Sequence, residues 1–427
     1  MRKLRKSIST VCLLTICFVI VGCSPKENNT SKGVTLKVMT NRSDLIDTEL
    51  KKIGEEYAEK TGVNIEWEAV EDYSSTMNVR IRANDNYGDV FLCPNLSKEE
   101  YSKYLEPLGK ASDPKIAAYR VNNEFAIKED GDYTVYGLSY GLAAQGVVYS
   151  KSAFEKAGID AESMKTIDGF YQGCAKLKEA GIMPVATNFK DSWVLKSWYT
   201  SAKCISGDPD FENNLYKEDS VFSNTKPLGE ILDFGSTLIK NGWVEDDLLN
   251  TDWDKAKKGL ANGSIGMMFL GSWVIPQEKA LSKDPEDIGF MPVPTKDGVT
   301  YTVLEPDYTV AVSNKSKHKK EAIDFLFAFN ESSYPEDNGL IPNNTNNKKL
   351  DPVTEEFLNS GVKEIIENPA SKDDQGKTEN VFKKANINHD TYVQNPFLYS
   401  LKENEKFDLS VGYLNEDWNN AKKELGY

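Results

Sequence analysis

The chain has 427 residues, more than one ordinary core organises, so two lobes or domains are expected. With 39% hydrophobic and 27% charged residues it has the make-up of a packed protein, which argues against wholesale disorder. A formal charge of −15 makes the phosphate backbone of a nucleic acid an unfavourable partner.

The N-terminus reads as an address. Arg2, Lys3, Arg5 and Lys6 precede an apolar run from Val11 to Val21. A bilayer takes about 20 apolar residues, so the run is too short to span one and suits a signal peptide. It ends in Ile20-Val21-Gly22-Cys23, which looks like a bacterial lipobox, whose cysteine is acylated and becomes the new N-terminus. Residues 1–22 are therefore read as a lipoprotein signal peptide, and 23–33 as a flexible polar tether. An ordinary secretory signal, or an uncleaved anchor with a chance cysteine, is the alternative. Stable attachment calls for more than one acyl chain.

Val34, Leu36 and Val38 alternate with polar residues as a strand, and Ile46, Leu50, Ile53 and Tyr57 follow at helical spacing up to Gly62. Val63, Ile65 and Trp67 alternate again, so the chain opens on a βαβ unit with a parallel sheet. A helix around Met77 and Ile81, a short buried strand at Val90 to Cys93 and a helix from Ser97 to Tyr104 come next. From Tyr136 the stretch YGLSYGLAAQGVVYSKSAFEKAGI is extended and punctuated by Gly137, Gly141 and Gly146, a candidate crossing between lobes. It runs into a strand at Val147 to Tyr149 and a helix from Ser152 to Gly158.

The following region is helix-rich. Thr166 or Asp168 caps a helix through Leu177, Ser192 to Lys203 carries Trp193, Trp198 and Tyr199, and Leu228 to Lys240 is another helix. Trp253 to Gln277 reads as helix, turn, strand, turn, helix, with Asn262-Gly263 ending the first and Pro276 opening the last. Trp273 thus sits just past the carboxyl end of a buried strand, Ile265 to Leu270, where open α/β sheets bind ligands; core burial is the competing reading. Gly289 to Pro294, a strand at Tyr308 to Val312 and a helix at Lys319 to Asn330 follow. The polar remainder from Pro335 ends in an amphipathic helix around Leu414, Trp418 and Leu425.

Beyond Cys23 the body keeps Cys93, Cys174 and Cys204, and its two histidines, His318 and His389, read as surface residues. That inventory gives no metal-ligand spacing and little for a histidine-based triad, so no metal and no cofactor are expected. Cys174 and Cys204 are read as buried thiols, a disulfide between them being the alternative.

Six segments in order carry a resemblance: GDVFLCP at 88–94, YGLSYGLAAQGVVYSKSAFEKAGI, TIDGFYQGCAKLKEAGIMPVA at 166–186, ANGSIGMMFLGSWVIPQ, GFMPVP, and YTVAVSNKSKHKKEAIDFLFAF. They resemble the extracellular solute-binding proteins of carbohydrate ABC importers, the maltose- and raffinose-type group. The resemblance implies an α/β, two-lobed periplasmic-binding-protein fold, type II-like, with a ligand cleft between lobes joined by crossing segments and closure on a hinge. Residues 34–142 plus 308–333 would form the N-terminal lobe, and 143–307 plus 334–427 the C-terminal lobe. It further implies a monomeric, non-enzymatic receptor, lipid-anchored on the outer face of the cell membrane, that hands a sugar or oligosaccharide to ABC permease transmembrane subunits. A non-sugar solute on the same scaffold, an exported glycoside hydrolase and a role presenting sugar to a sensor are the alternatives.

A sugar offers C–H faces that aromatic rings cover, and hydroxyls that carboxylates, amides and guanidinium groups answer. Trp273 is the expected platform. Trp193 and Asp191 lie in the loop after Asn188, Tyr140 in the first crossing, and Asp307-Tyr308 at the next. After the first strand Asp44 either accepts sugar hydroxyls with Arg42 holding its charge or, like Ser43, caps the helix; Asp191 stands equally open. Glu305 reads as a solvated loop residue, Asp89 as a structural cap, and Trp67, Trp243, Trp253 and Trp418 as core.

Overall fold

The computed structural model describes residues 33–427 apart from 95, 121–124, 130, 369, 372 and 401–403; the leader and Cys23 lie outside them. Among the described residues no helix is long and apolar enough to cross a membrane.

The opening βαβ unit forms as the alternation predicts: β1 (Thr35–Thr40), the helix Glu49–Thr61, then β2 (Asn64–Ala69) parallel to β1, with Leu36 opposite Ile65 and Val38 opposite Trp67. Gly62 ends the helix at φ 77°, a left-handed turn that glycine adopts without strain. β3 (Val90–Leu92) adds on the other side of β1. The chain next makes a small antiparallel sheet that the sequence pattern does not disclose, from β4 (Gly109–Lys110), β5 (Ala126–Glu129) and β6 (Asp132–Val135). β7 (Gly137–Ser139) then joins the first sheet.

β8 (Gly141–Ser150) leaves that sheet and becomes the hub of a second. Around it are β9 (Met183–Val185), β10 (Ile265–Gly271), β11 (Ile288–Met291) and β12 (Tyr301–Pro306). After Asp307 and Tyr308 the chain returns to the first sheet as β13 (Thr309–Val312), completing the order β2-β1-β3-β13-β7. A third passage, past Tyr334 and Leu340, delivers β14 (Ile341–Pro342) to β8; β15 (Lys363–Ile365) then closes the second sheet beside β12, in the order β15-β12-β8-β10-β9.

Burial follows the pleat. In β10, Met267 and Phe269 enter one core while Met268 and Leu270 enter another on the opposite face, so the strand is apolar throughout because both faces are covered. The first sheet has its own core, from Leu36 and Phe91 to Val310 and Phe325, and Tyr334 and Leu340 belong to it. Trp198 and Trp418 are buried; Cys93, Cys174 and Cys204 are free and buried. Asp89 is structural, accepting from the Lys37 N–H at 2.9 Å and the Ser316 hydroxyl at 2.6 Å.

Candidate functional site

A cavity of about 810 Å³ lies where the chain passes between the two sheets. One wall is aromatic. Gly271 ends β10, and the next residues make a tight turn before the helix Ile275–Leu281. The Trp273 ring folds back over Gly271, where a Cβ would lie 2.7 Å from ring atoms Cδ1 and Nε1, so only glycine leaves room for it. Trp193 stands edge-on to Trp253, with ring centres 5.2 Å apart, and Trp273 lies 6.0 Å from Trp193 and 6.2 Å from Trp253. Trp193 is 53% exposed, unusual for so large a ring, and that surface faces the cavity. Trp253, expected as core, is half-buried and packs against one core of the second sheet as well as against Trp193 and Trp273.

The crossing segments supply the second wall. The Tyr140 hydroxyl donates to Asp307 Oδ2 at 2.9 Å, tying the first crossing to the second. Recession from solvent raises the Asp307 pKa, against the pull of Tyr140, Arg42 and Lys196, which keep an anion tolerable there. Tyr140 itself is buried, packed edge-on to Tyr334 with ring centres 5.0 Å apart. Arg42 reaches the third crossing: its Nη1 donates to Asn338 Oδ1 at 2.7 Å and to the Tyr334 hydroxyl at 3.4 Å.

At the far end lies an ion cluster. The Lys203 ammonium, its side chain 7% exposed, contacts Glu212 at 2.8 Å, Glu367 at 3.0 Å and Glu305 at 3.1 Å. Burial alone would lower the lysine pKa; the fields of Glu305, Glu212 and Glu367 outweigh it and hold the group charged. Burial also pushes Glu367 up to about 7, while Lys203 and Lys196 hold Glu305 below the usual carboxylate range against burial. His389, expected at the surface, lines this end with its ring 5.3 Å from Tyr199.

Of the residues singled out from sequence, Trp273, Asp307, Tyr308, Arg42, Trp193 and Tyr140 line the cavity, while Asp44 and Asp191 do not. Asp44 is exposed and forms a two-pronged pair with Arg42 at 2.9 and 2.8 Å. It is no helix cap, since the helix begins five residues later at Glu49. The Asp191 side chain makes no cap bond either. Glu305 departs from its reading as a solvated loop residue, because β12 pairs it with Ala143 of β8 and Lys203 claims its carboxylate. Glu367 and His389 come from the polar tail, where no local pattern marks them.

Behind the tryptophans, Glu278 on the helix Ile275–Leu281 is fully buried with neither oxygen hydrogen-bonded, and burial pushes its pKa up to about 8, the Lys257 charge pulling the other way. Its pKa is raised on folding from 4.5, so the folded state holds a proton that the unfolded state releases between pH 4.5 and 8. Stability is thus fully present below 4.5 and falls as pH rises toward 8, by a few kcal/mol at most. Glu278→Gln is expected to flatten that slope in thermal melts from pH 5 to 8; an unchanged slope would assign the proton elsewhere.

A family model described as bacterial extracellular solute-binding protein matches residues 43–329. The multiple sugar-binding protein of Streptococcus mutans is 24% identical over 321 residues, which are 72% of this chain and 74% of that protein. Among solved structures, a binding protein of an ABC transporter from Bifidobacterium animalis subsp. lactis, in complex with mannobiose, matches with a TM-score of 0.81 and 24% identity, covering 93% of this chain and 97% of that one. A manno-oligosaccharide-specific solute-binding protein of the same organism, in complex with mannotriose, gives 0.80 and 22%, covering 93% and 96%. The two sheets, with separate cores and joined by three passages around a cleft, are the two-lobed architecture of these proteins. The chain belongs to the bacterial extracellular solute-binding protein family.

Proposed function

We propose that the protein captures a neutral oligosaccharide in the cleft and delivers it to the transmembrane subunits of an ABC permease. The observation that carries this reading is the wall formed by Trp193 and Trp273, backed by Trp253, facing polar groups of the crossing segments. Indole rings suit the C–H faces of pyranoses, and Asp307, Glu305, Gln145 and Arg42 suit their hydroxyls. The volume of about 810 Å³ is near the upper end of the ~300–1,000 Å³ usual for small-molecule sites, which favours several rings over one. Charge points away from an anionic ligand: Arg42 is already answered by Asp44, and Lys203 by three carboxylates, so neither cation is left over for one. The relatives crystallised with mannobiose and mannotriose support the choice of ligand class.

In this proposal Cys23 carries the lipid, 1–22 is the signal peptide, and the protein works as a monomer on the outer face of the membrane, without turnover. Calorimetry with mannobiose, mannotriose, raffinose and single hexoses is expected to give heat with one or more of the oligosaccharides and little with the hexoses. Heat from a peptide or an organic acid, with none from any sugar, would overturn the ligand class. Mass spectrometry of the membrane-extracted protein tests the acylated Cys23.

A further inference from the structure

We propose that Glu245 is the positioning residue of the tryptophan wall: through the backbone of Thr187 and Asn188 it holds the loop that sets Trp193 against Trp253, without touching ligand. The inference rests on the cleft being the ligand site. β9 ends at Val185, whose N–H is bound by the Trp243 carbonyl at 3.0 Å, and Ala186 still reaches the Met267 carbonyl at 2.9 Å. Beyond it the ladder stops, and the Glu245 carboxylate supplies the missing acceptors. The Thr187 N–H lies 2.8 and 2.9 Å from its two oxygens, the Thr187 hydroxyl donates at 2.8 Å, and the Asn188 N–H at 2.9 Å. Bonds to an ionised acceptor are about twice as strong as neutral ones.

The backbone held there bends sharply. Asn188 is fully buried at φ 51°, in the left-handed region that asparagine tolerates better than most non-glycine residues. From that bend the Asp191 N–H returns to the Asn188 carbonyl at 3.0 Å, the Val194 N–H to the Asp191 carbonyl at 2.8 Å, and Trp193 is thrown outward between them. A second tie comes from the same direction: the Lys190 N–H donates to Thr251 Oγ1 at 2.8 Å, two residues before Trp253. The segment 245–253 therefore grips the chain leading into Trp193 at two points and also carries the ring that Trp193 meets at 79°. Half exposed, the Trp193 indole has the rings of Trp253 and Trp273 beside it, and the grip on its backbone sets the angle at which it meets them.

Glu245→Gln keeps the shape but turns one oxygen into an N–H₂ group facing donors. It is expected to change the near-ultraviolet circular dichroism of the tryptophan cluster and to weaken mannotriose, or the tightest binder of the oligosaccharide panel, by about tenfold. Glu245→Asp, which keeps the charge, is expected to restore part of both signals. Thr187→Val, which removes one of the four bonds and leaves the backbone donors, is expected to cost about threefold and carries the test if Glu245→Gln does not fold. Unaltered dichroism and affinity in Glu245→Gln, or in Thr187→Val where that variant carries the test, would overturn the proposal whatever the melting temperature does. If the unsubstituted protein binds no sugar, the ligand reading fails, while the dichroism comparison still decides the role of Glu245.

Discussion

Lys203→Met is expected to destabilise the protein by about 2–3 kcal/mol at neutral pH, below the ~3–5 kcal/mol for removing one partner of a fully buried ion pair, because the carboxylates left behind are 24–47% exposed. The methionine fills most of the volume, so the loss is electrostatic. Glu212, Glu305 and Glu367 are left facing one another around a side chain that was 7% exposed, with no cation to answer them. The sign with pH follows from the same geometry. Without Lys203 the pKa values of Glu305 and Glu367 rise, so lowering the pH from 7 to 5 neutralises part of the charge in the variant and shrinks the deficit. Thermal melts of both proteins at the two pH values check this, and an equal deficit at both would mean that lost packing, not charge, is responsible. Adding Glu367→Gln to Lys203→Met is expected to recover part of the loss, because neighbours in one network are not additive. Glu367 is the carboxylate to choose, since burial already pushes it up to about 7. The cluster joins the helix Lys196–Ser206 to β12 and to the chain after β15, so loosening it loosens the floor of the cleft.

How far such a cluster is legible in the chain depends on whether its contacts are local. The opening βαβ unit, the Thr166 cap (its Oγ1 3.1 Å from the Gly169 N–H) and the strand-turn-helix around Trp273 all follow from residues within a few positions of one another. So does the fold class, because strand and helix periods alternate along the chain. Glu305 shows the opposite case. Its neighbours Pro306 and Asp307 look like a loop, and the strand character comes only from β8, some 160 residues earlier, while its cation sits 102 positions away. Glu367 and His389 arrive at the cavity from a polar tail whose helices carry no marker for it. Asp44 pairs with Arg42 two residues away, as its local spacing suggests, but where the following helix begins and where the cavity ends, both of which leave Asp44 outside, are set by the fold. Trp253 sits on a helical face that spacing assigns to the core and it does pack there, and only the fold shows that its ring also backs Trp193 and Trp273.

Trp273→Ala is expected to weaken oligosaccharide binding by about 100-fold or more, some 3 kcal/mol, as for the central aromatic of a binding hot spot. The ring is a platform on both sides. One side rests over Gly271 and packs against the core of the first sheet and one core of the second; the rest borders the cleft. Because the ring is only half-buried, truncation is expected to cost about 1–2 kcal/mol of stability, less than the ~3–5 kcal/mol for a fully buried tryptophan. Trp193→Ala separates the two contributions. That ring is 53% exposed, so its removal is expected to leave the melting temperature nearly unchanged and to weaken binding about tenfold. Paired calorimetric titrations and thermal melts of both variants decide between platform and core. A Trp273→Ala protein that loses 4 kcal/mol or more of stability and still binds with unaltered Kd would make Trp273 a core residue that happens to border the cleft. The expected pattern, a large loss of affinity beside a small loss of stability and a milder copy of it at Trp193, requires that the rings meet the ligand, because no rearrangement of the core alone would spare the fold and remove the binding.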